Sequence, residues 1–372
     1  MESASDTEPQ AKTVRKRPKR RRKVRLGEGG AGNGGERVSM EDVARVAKVS
    51  TATVSKVLNN HPHVSKAMRI HVSRIIEKLD YHPNRLAQGL SSQYTRVLAV
   101  LLPHLNHVFA DPYFGELISG VFDAARQLDH KIMVEHITAD FIKERKPIEL
   151  FERRFVDGVL CLGLHDQHTF IKDLAERGYP MLSVNNHFPE WGIDYVMCDY
   201  RSGADQAMNF LLQLGHRKIG LIAGSRGIQT MRDIVDAFFD HVRDVNPTVD
   251  ESWIARGRFT EQGGVEAMEK LLTEHDDLTA VFAASDKMAL GAMHYLQRRG
   301  VHVPGQVSII GFDDLKQMAF VNPNLTTVNL PYYEVGARSC EALVELIGGR
   351  ASRIFEKFDT HLVIRESTCA PN

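Results

Sequence analysis

From Val97 onward, short apolar runs alternate with longer segments of helical pattern, and no other feature restricts the architecture of the chain as strongly. The runs VLAVLL, GVLCL and MLSV have the length and composition of buried strands, and each is followed by a helical stretch. Such alternation is typical of parallel sheets with right-handed crossovers. About 275 residues of it is long for a single sheet. We therefore predict two α/β lobes with a cleft between them.

Residues 38–92 follow a different pattern, that of several short helices. Ser39 precedes MEDVARVA and is followed at the third position by Asp42, which approximates a capping box. Ser50 precedes TATVSKVLNN, and Ser65 precedes KAMRIHVSRIIEKLDY, whose apolar residues fall on one helical face. The sequence therefore predicts three helices in this segment.

The first two helices are separated only by residues 48–50, which predicts the tight turn of a helix-turn-helix unit. Four valines are expected to pack these helices together: Val43, Val46, Val54 and Val57. The opposite face of the second helix carries short, polar or basic side chains: Thr51, Ala52, Ser55, Lys56 and Asn59. Side chains of this kind suit the major groove of duplex DNA, where a lysine can donate to guanine.

The distribution of charge predicts a polyanionic partner at this end of the chain. Residues 1–92 contain 19 Lys and Arg against 9 Asp and Glu, whereas residues 93–372 contain 28 against 38. Segment 1–37 combines a basic block with a Gly-rich linker, and this composition predicts disorder. The segment is either an arm that binds DNA phosphates or a solvated tail without a dedicated partner.

The cysteines and the apolar runs bear on the compartment of the protein. The four cysteines stand far apart in the sequence and form no C-x-x-C pair: Cys161, Cys198, Cys340 and Cys369. Neither a disulfide framework nor a thiolate zinc site is therefore expected. No apolar run approaches the roughly 18–20 residues that a membrane span needs. The N-terminus lacks an apolar signal core. We expect a cytoplasmic, nucleoid-associated protein.

Residues 40–92 resemble the DNA-binding head of the LacI/GalR family of bacterial transcriptional regulators. They read MEDVARVAKVSTATVSKVLNNHPHVSKAMRIHVSRIIEKLDYHPNRLAQGLSS. The resemblance continues through SDKMALGAM, VSIIGFDD and NPNLTTVNLP in the family's order. It implies an N-terminal all-α helix-turn-helix head joined by a hinge helix to a two-lobed α/β sensor domain of the periplasmic-binding-protein type. The divisions that follow are a disordered basic tail and linker (1–37), a helix-turn-helix domain (38–83), a hinge helix (84–92) and an effector-binding and dimerisation domain (93–372).

The resemblance also assigns DNA contacts residue by residue. The second helix lies in the major groove, and the positions that contact phosphates or fix the head on the backbone are matched by Ser39, Ser50, Thr53, Asn59, His63 and Ser65. The hinge helix is matched by a segment that contains Asn84, Arg85, Gln88 and Leu90. In the family, paired hinge helices push one apolar side chain each into the minor groove, here Leu90. The alternative is that Leu90 is an ordinary linker residue.

Ligands of open α/β lobes bind at the carboxyl ends of the strands, and several polar or aromatic residues follow predicted strands here. They include Tyr113, Phe114, Asn185, Asp286 and Asp313. Carboxylates, an amide and aromatic rings suit a polyhydroxylated ligand. Asp286 directly precedes a helical stretch, so it is either a ligand contact or a helix cap.

By resemblance, Tyr113 and Phe114 lie on the first pocket loop, and Asp313 matches an acidic residue that contacts sugar hydroxyls. Asn185 stands where the family often has Asp, and Phe259 matches an aromatic residue that often stacks on the ligand. The family's usual arginine clamp is missing. Ile234 occupies its position, and Arg232 lies two residues earlier as a displaced candidate.

These observations together predict a sequence-specific DNA-binding transcription regulator, most simply a repressor. It would bind a pseudo-palindromic operator on double-stranded DNA as a homodimer and respond to a small-molecule effector, most simply a sugar or sugar derivative. We see no catalytic motif, metal-ligand spacing or cofactor fingerprint, so we expect no enzyme. The missing arginine keeps open a regulator controlled by a protein co-effector. A solute-binding protein and a nucleobase effector are less favoured alternatives.

Overall fold

The computed structural model of the protein describes residues 38–58, 61–81, 94–105 and 107–372. Three helices lie in a first unit, and every described strand lies in a second. The predicted tail (1–37) and hinge helix (84–92) lie outside the described residues. The same holds for five predicted DNA contacts: Asn59, Asn84, Arg85, Gln88 and Leu90.

The three helices predicted for the first unit are present as α1 (Met40–Ala47), α2 (Thr51–Leu58) and α3 (Lys66–Lys78). The small core between them consists of apolar side chains: Val43, Ala44, Ala47, Val54, Val57, Val72 and Tyr81. The prediction for Val46 was wrong, because this side chain is 44% exposed. At about 100° per residue, the buried stripe of α1 is centred near Ala47, and Val46 points roughly 100° away from it.

The turn between α1 and α2 uses an unusual backbone conformation. Lys48 ends α1 with φ 53° and ψ 40°, in the left-handed region, and its N–H donates to the carbonyl groups of Ala44 and Arg45. This region is the usual place of glycine at a helix C-terminus, because a Cβ there costs about 1–2 kcal/mol. The turn is therefore built on lysine at some cost in stability.

The described residues of the second unit contain twelve strands. They include all seven that apolar runs of the sequence predict: VLAVLL, KIMVEH, GVLCL, MLSV, KIGLIAG, TAVFAAS and VSIIGFDD. The strands are β1 (Val97–Pro103), β2 (Lys131–Ile137), β3 (Gly158–Leu162), β4 (Met181–Val184), β5 (Tyr195–Cys198), β6 (Ile219–Ala223), β7 (Ile254–Arg256), β8 (Ala280–Ala283), β9 (Ser308–Ile310), β10 (Thr327–Asn329), β11 (Phe355–Phe358) and β12 (His361–Val363). Sequence analysis missed β5, β7, β10, β11 and β12.

The strands form two parallel sheets, as predicted, and one short antiparallel pair. The first lobe has six strands in the order β11-β5-β4-β3-β1-β2, and the second has four in the order β7-β6-β8-β9. β10 and β12 pair antiparallel. The helices around these sheets are α4 (Pro112–Gln127), α5 (Ala139–Lys143), α6 (Lys146–Glu152), α7 (Phe170–Glu176), α8 (Tyr200–Gln213), α9 (Gln229–Val242), α10 (Glu261–Glu274), α11 (Asp286–Arg298) and α12 (Tyr332–Ile347).

The chain passes between the two lobes three times. The first crossing lies between β5 and α8, the second between β9 and α12, and the third between β11 and β12. α8 packs on α9 in the second lobe, whereas α12 packs on α4 in the first. Residues at these crossings respond to any relative movement of the lobes. None of the described helices is both long and apolar enough to span a bilayer.

Candidate nucleic-acid interface and effector site

The surface of α2 presents the side chains that were predicted to face DNA. Thr51, Ala52 and Lys56 are exposed, whereas Ser55 is half-buried. The opposite face of α2 is anchored by Val54 and Val57, which are buried in the core of the unit. The exposed row offers a hydroxyl, a methyl group and an ammonium group, which match the groups that base edges present in the major groove.

Three serines predicted to contact phosphates are helix caps. The hydroxyl of Ser39 accepts a hydrogen bond from the Asp42 N–H at the start of α1, and that of Ser65 accepts from the Met68 N–H at the start of α3. Ser50 accepts from the Thr53 N–H at 3.1 Å, and its hydroxyl contacts that of Thr53 at 2.9 Å. Helix N-termini attract anions, so a cap and a phosphate contact are compatible roles.

Ser39 differs from the other two caps because its hydroxyl also donates. It donates to Oδ2 of Asp42 at 2.7 Å, and the Ser39 N–H donates to the same oxygen, which completes the predicted capping box. These hydrogen bonds lower the pKa of Asp42 to about 2. The carboxylate is therefore charged beside Ser39, which makes this position less suited to a phosphate than Ser65 or the exposed His63.

In the second unit, Asn185 connects the first lobe to two tyrosines. It follows β4 with φ 56° and is 2% exposed. Its amide nitrogen donates to the hydroxyl of Tyr200 at 2.7 Å and to that of Tyr113 at 3.4 Å, and its oxygen accepts from the Cys198 N–H at 3.0 Å. Asn185 thus holds the first crossing, where Tyr200 begins α8, against the start of α4. The expectation that Tyr113 and Phe114 lie on a loop was wrong, because α4 already begins at Pro112, with Asp111 as its N-cap.

The hydrogen-bond chain continues to Asp313 at the second crossing. The hydroxyl of Tyr200 lies 3.4 Å from that of Tyr332, which donates to Oδ1 of Asp313 at 2.6 Å. Burial and the neighbouring carboxylate of Asp286 raise the pKa of Asp313 well above its usual range. Residues from both lobes and from the first two crossings therefore meet in one hydrogen-bonded cluster, which we call the tyrosine floor: Tyr113, Asn185, Tyr200, Asp313 and Tyr332.

Aromatic packing completes this floor. The ring of Tyr113 meets those of Phe114 and Tyr332 edge-on, with centroid distances of 4.8 and 4.9 Å. Phe114 is 6% exposed. Burial raises the pKa of Tyr113, Tyr200 and Tyr332, so their hydroxyl groups stay protonated and can donate hydrogen bonds.

Sequence analysis left Asp286 as either a ligand contact or a helix cap, and the structure shows that it does not cap α11. Ser285 is the cap, with its hydroxyl accepting from the Met288 N–H. Asp286 is fully buried, and its two oxygens accept from the hydroxyl of Thr327 at 2.6 Å and from the Leu315 N–H at 2.7 Å. Its carboxylate is thus already occupied within the protein, and it supports the second crossing.

Arg232 lies at the mouth of the cleft and faces the other lobe. Its two terminal nitrogens contact the two oxygens of Asp166 at 2.6 and 3.1 Å. Ile234, at the family's clamp position, is fully buried and cannot contact a ligand. Phe259, predicted as a stacking residue, has φ 60° and places its ring against Gly224, where a Cβ would lie 2.1 Å from the ring.

Two further contacts join the lobes and were not predicted. Nε2 of His187 lies 3.0 Å from Oδ2 of Asp233, and Nζ of Lys287 lies 3.0 Å from Oδ2 of Asp111. Each pair joins a loop of the first lobe to a helix of the second. The rule that ligands bind after strands does not reach these pairs, because Asp111 lies eight residues beyond the end of β1 and Asp233 lies within α9.

A helix-turn-helix unit and a two-lobed body with a polar cleft define a DNA-binding transcription regulator with a sensor domain. Residues 39–84 match the family described as bacterial regulatory proteins, lacI family, and residues 208–368 match the periplasmic binding protein-like domain. The HTH-type transcriptional repressor CytR of Escherichia coli (strain K12) is 34% identical over 338 residues, which span 89% of this chain and 96% of CytR. The chain belongs to the LacI family.

Solved structures agree in fold over nearly the whole described chain. The complex of the transcriptional regulator CelR with cellobiose has 32% identity and a TM-score of 0.68, and the match covers 89% of this chain and 100% of that one. The lac repressor dimer bound to operator and the anti-inducer ONPF has 25% identity and a TM-score of 0.78, with coverage of 90% and 100%. The predicted family, fold class and regulatory function are thereby confirmed.

Proposed function

We propose that the protein binds a pseudo-palindromic operator as a homodimer and that a carbohydrate effector binds in the cleft above the tyrosine floor. The observation that carries this proposal is the hydrogen-bond chain from Asn185 through Tyr200 and Tyr332 to Asp313. It links both lobes and two of the three crossings. A ligand that inserts into this chain necessarily changes the contacts between the lobes.

The groups of the tyrosine floor match the chemistry of a sugar. Asp313 and Asn185 accept hydrogen bonds from hydroxyl groups, and the phenol groups of Tyr113 and Tyr332 can donate as well as accept. Aromatic rings cover the apolar face of a pyranose. The solved complex of the relative CelR with cellobiose supports this ligand class.

The effector contacts that we propose are therefore Tyr113, Asn185, Asp313 and, at the rim, Phe259 and Arg232. Phe114 and Asp286 position the site from behind, since Phe114 packs on Tyr113 and the carboxylate of Asp286 is occupied. We assign no catalytic step to the cleft. His165 and His168, the nearest histidine pair, are joined by a hydrogen bond from the His165 N–H to Nδ1 of His168.

For the head, we propose that Thr51, Ala52, Ser55 and Lys56 face the base edges. The caps Ser50 and Ser65, with Thr53 and His63, would contact phosphates. Ser39 also caps a helix, but Asp42 disfavours an anion there. The role of the segment around Leu90 as a minor-groove wedge stays a prediction, as do the arm function of the tail and the nucleoid-associated location in the cytoplasm.

Titration calorimetry of the full-length protein with neutral mono- and disaccharides, cellobiose among them, tests the effector. The variant Asp313→Asn is expected to weaken sugar binding up to about tenfold, because an amide nitrogen replaces a carboxyl oxygen and a hydrogen bond from a sugar hydroxyl, worth about 0.5–1.5 kcal/mol, is lost. The matched control is Asp276→Asn, which changes an exposed carboxylate distant in sequence from the floor.

A gel-shift titration with genomic fragments retained by the protein then shows whether the sugar that binds also changes operator affinity. Equal sugar affinity in wild type and Asp313→Asn would contradict the proposed site. Retained operator binding with no heat from any sugar would contradict the carbohydrate effector and favour a protein co-effector.

A further inference from the structure

A second cluster of charge lies at the carboxyl edge of the second sheet, outside the tyrosine floor. Arg226 stands in the loop between β6 and α9, and Arg256 is the last residue of the neighbouring strand β7, opposite Ala223 of β6. Both line one cavity of about 240 Å³, which we call the arginine pocket. Since each water takes up roughly 30 Å³, the pocket has room for a small oxyanion together with several waters.

The positive charge of this pocket is only partly balanced by nearby carboxylates. Of its three arginines, Arg232 is neutralised by Asp166 across the cleft. Arg226 reaches a carboxylate only at 3.9 Å, with both side chains more than 70% exposed, and such a pair contributes little. Asp236 is the single carboxylate in the lining, and it is exposed.

Arg256 is the least neutralised member of the cluster. It forms no ion pair with any described residue, and its Nη1 donates to the carbonyl of Gly224 at 3.2 Å. Partial burial, together with the charge of Arg226, lowers the pKa of Arg256. An anion placed between the two guanidinium groups would offset their mutual repulsion, because an opposite charge favours the charged form.

A neighbouring cavity does not offer the same chemistry. It has a volume of about 500 Å³ and is lined by Arg226, Arg256 and Lys270, but Glu251 and Glu274 line it as well. Two carboxylates against three positive charges disfavour a divalent anion there. Relative to its volume, the smaller arginine pocket has more uncompensated positive charge than this neighbouring cavity.

We propose that the arginine pocket binds a phosphate group, held by the guanidinium groups of Arg226 and Arg256. Arginine matches phosphate oxygens with two parallel N–H donors, which gives both affinity and orientation. The pocket adjoins the contact between the lobes, because its lining residue Gly227 accepts from the Asp166 N–H at 2.9 Å. The inference rests on the proposed function in one respect: the phosphate is either part of the effector or a free ion bound beside it.

Titration calorimetry of the full-length protein with potassium phosphate, against potassium chloride at equal ionic strength, tests this site. Wild type is expected to bind phosphate, and Arg256→Gln and Arg226→Gln are each expected to weaken binding about tenfold or more. The matched control is Arg258→Gln. Arg258 is two residues away and exposed, and its guanidinium pairs with Glu266 at 3.0 Å outside the pocket.

A second arm compares glucose 6-phosphate with glucose plus free phosphate, and so distinguishes a phosphorylated effector from a separate ion. The inference is overturned if wild type binds neither potassium phosphate nor glucose 6-phosphate, or if wild type and Arg256→Gln bind them equally. If operator binding and neutral-sugar binding persist in that case, the proposed function stands while the anion site fails. If wild type does not bind operator DNA at all, the proposed function is contradicted instead.

Discussion

Arg232 of the second lobe holds Asp166 of the first through two parallel hydrogen bonds of 2.6 and 3.1 Å. Both side chains are 46% exposed, so water weakens the pair. The contact nevertheless joins the two lobes directly. Together with His187–Asp233 and Lys287–Asp111, it gives the closed arrangement of the lobes a set of direct polar contacts.

The Arg232–Asp166 pair should be measurable in a double-mutant cycle with Arg232→Gln and Asp166→Asn. We expect a coupling free energy of about 0.5–1 kcal/mol in urea unfolding of the body, because exposed ion pairs rarely contribute more. Since surface charges are screened by salt, the coupling should decrease sharply near 1 M NaCl. A coupling that is zero at low salt would show that the contact does not stabilise closure.

The left-handed Lys48 predicts a stabilising substitution in the head. Lys48→Gly removes the Cβ from a residue with φ 53° and should slow hydrogen exchange of the α1 amides in the full-length protein, equivalent to about 1 kcal/mol. Lys48→Ala keeps the Cβ and is the matched control, for which no gain is expected. If alanine stabilises α1 as much as glycine does, backbone strain is not the cause.

The fold was predictable wherever a strand is seven residues long or buried throughout, as the short strands β4, β8 and β9 are. Each of the five missed strands contains only three or four residues and includes at least one that is half-buried or exposed. β11, FEKF, alternates between exposed and half-buried positions and joins the sheet only by pairing with β5, about 160 residues earlier in the chain. No local pattern reports such a pairing. The position of β11, and with it the third crossing, therefore required the structure.

The candidate site was predictable only in part, for a similar reason. The rule that ligands bind after strands identified Asn185, which follows β4 directly, and Asp313, which lies three residues beyond the end of β9. Tyr200 and Tyr332, which join these two residues, begin helices beyond the crossings, and the rule does not reach them. The same rule identified Asp286, but its carboxylate already accepts hydrogen bonds from the Leu315 N–H and the Thr327 hydroxyl.

The buried Asp286 predicts a pH dependence of stability. Burial raises its pKa from 3.8 to about 6. The folded state therefore binds this proton more tightly than the unfolded state, and the stability gained from it is present below about pH 4 and is lost as the pH rises through about 6. Asp286→Asn removes this titration while an amide can still accept from the Leu315 N–H and donate to the Thr327 hydroxyl.

Urea midpoints of the full-length protein between pH 4 and 7 measure this effect. Relative to Asp286→Asn, wild type should lose roughly 2 kcal/mol across this range. The control Asp276→Asn changes an exposed carboxylate and should track wild type. Parallel curves for wild type and Asp286→Asn would show that Asp286 titrates at its ordinary pKa.

Lys56 offers the sharpest test of the head, because it is exposed on α2 and its removal leaves the core of Val54 and Val57 intact. Lys56→Ala should lower affinity for a retained genomic fragment by about 1–3 kcal/mol if the ammonium group reads a guanine, with a smaller loss for random competitor DNA. Gel shifts at fixed salt give both affinities. Lys78→Ala, at the exposed end of α3, is the matched control and should lower both affinities little and equally. A uniform loss on both DNAs in Lys56→Ala would instead place Lys56 on a phosphate.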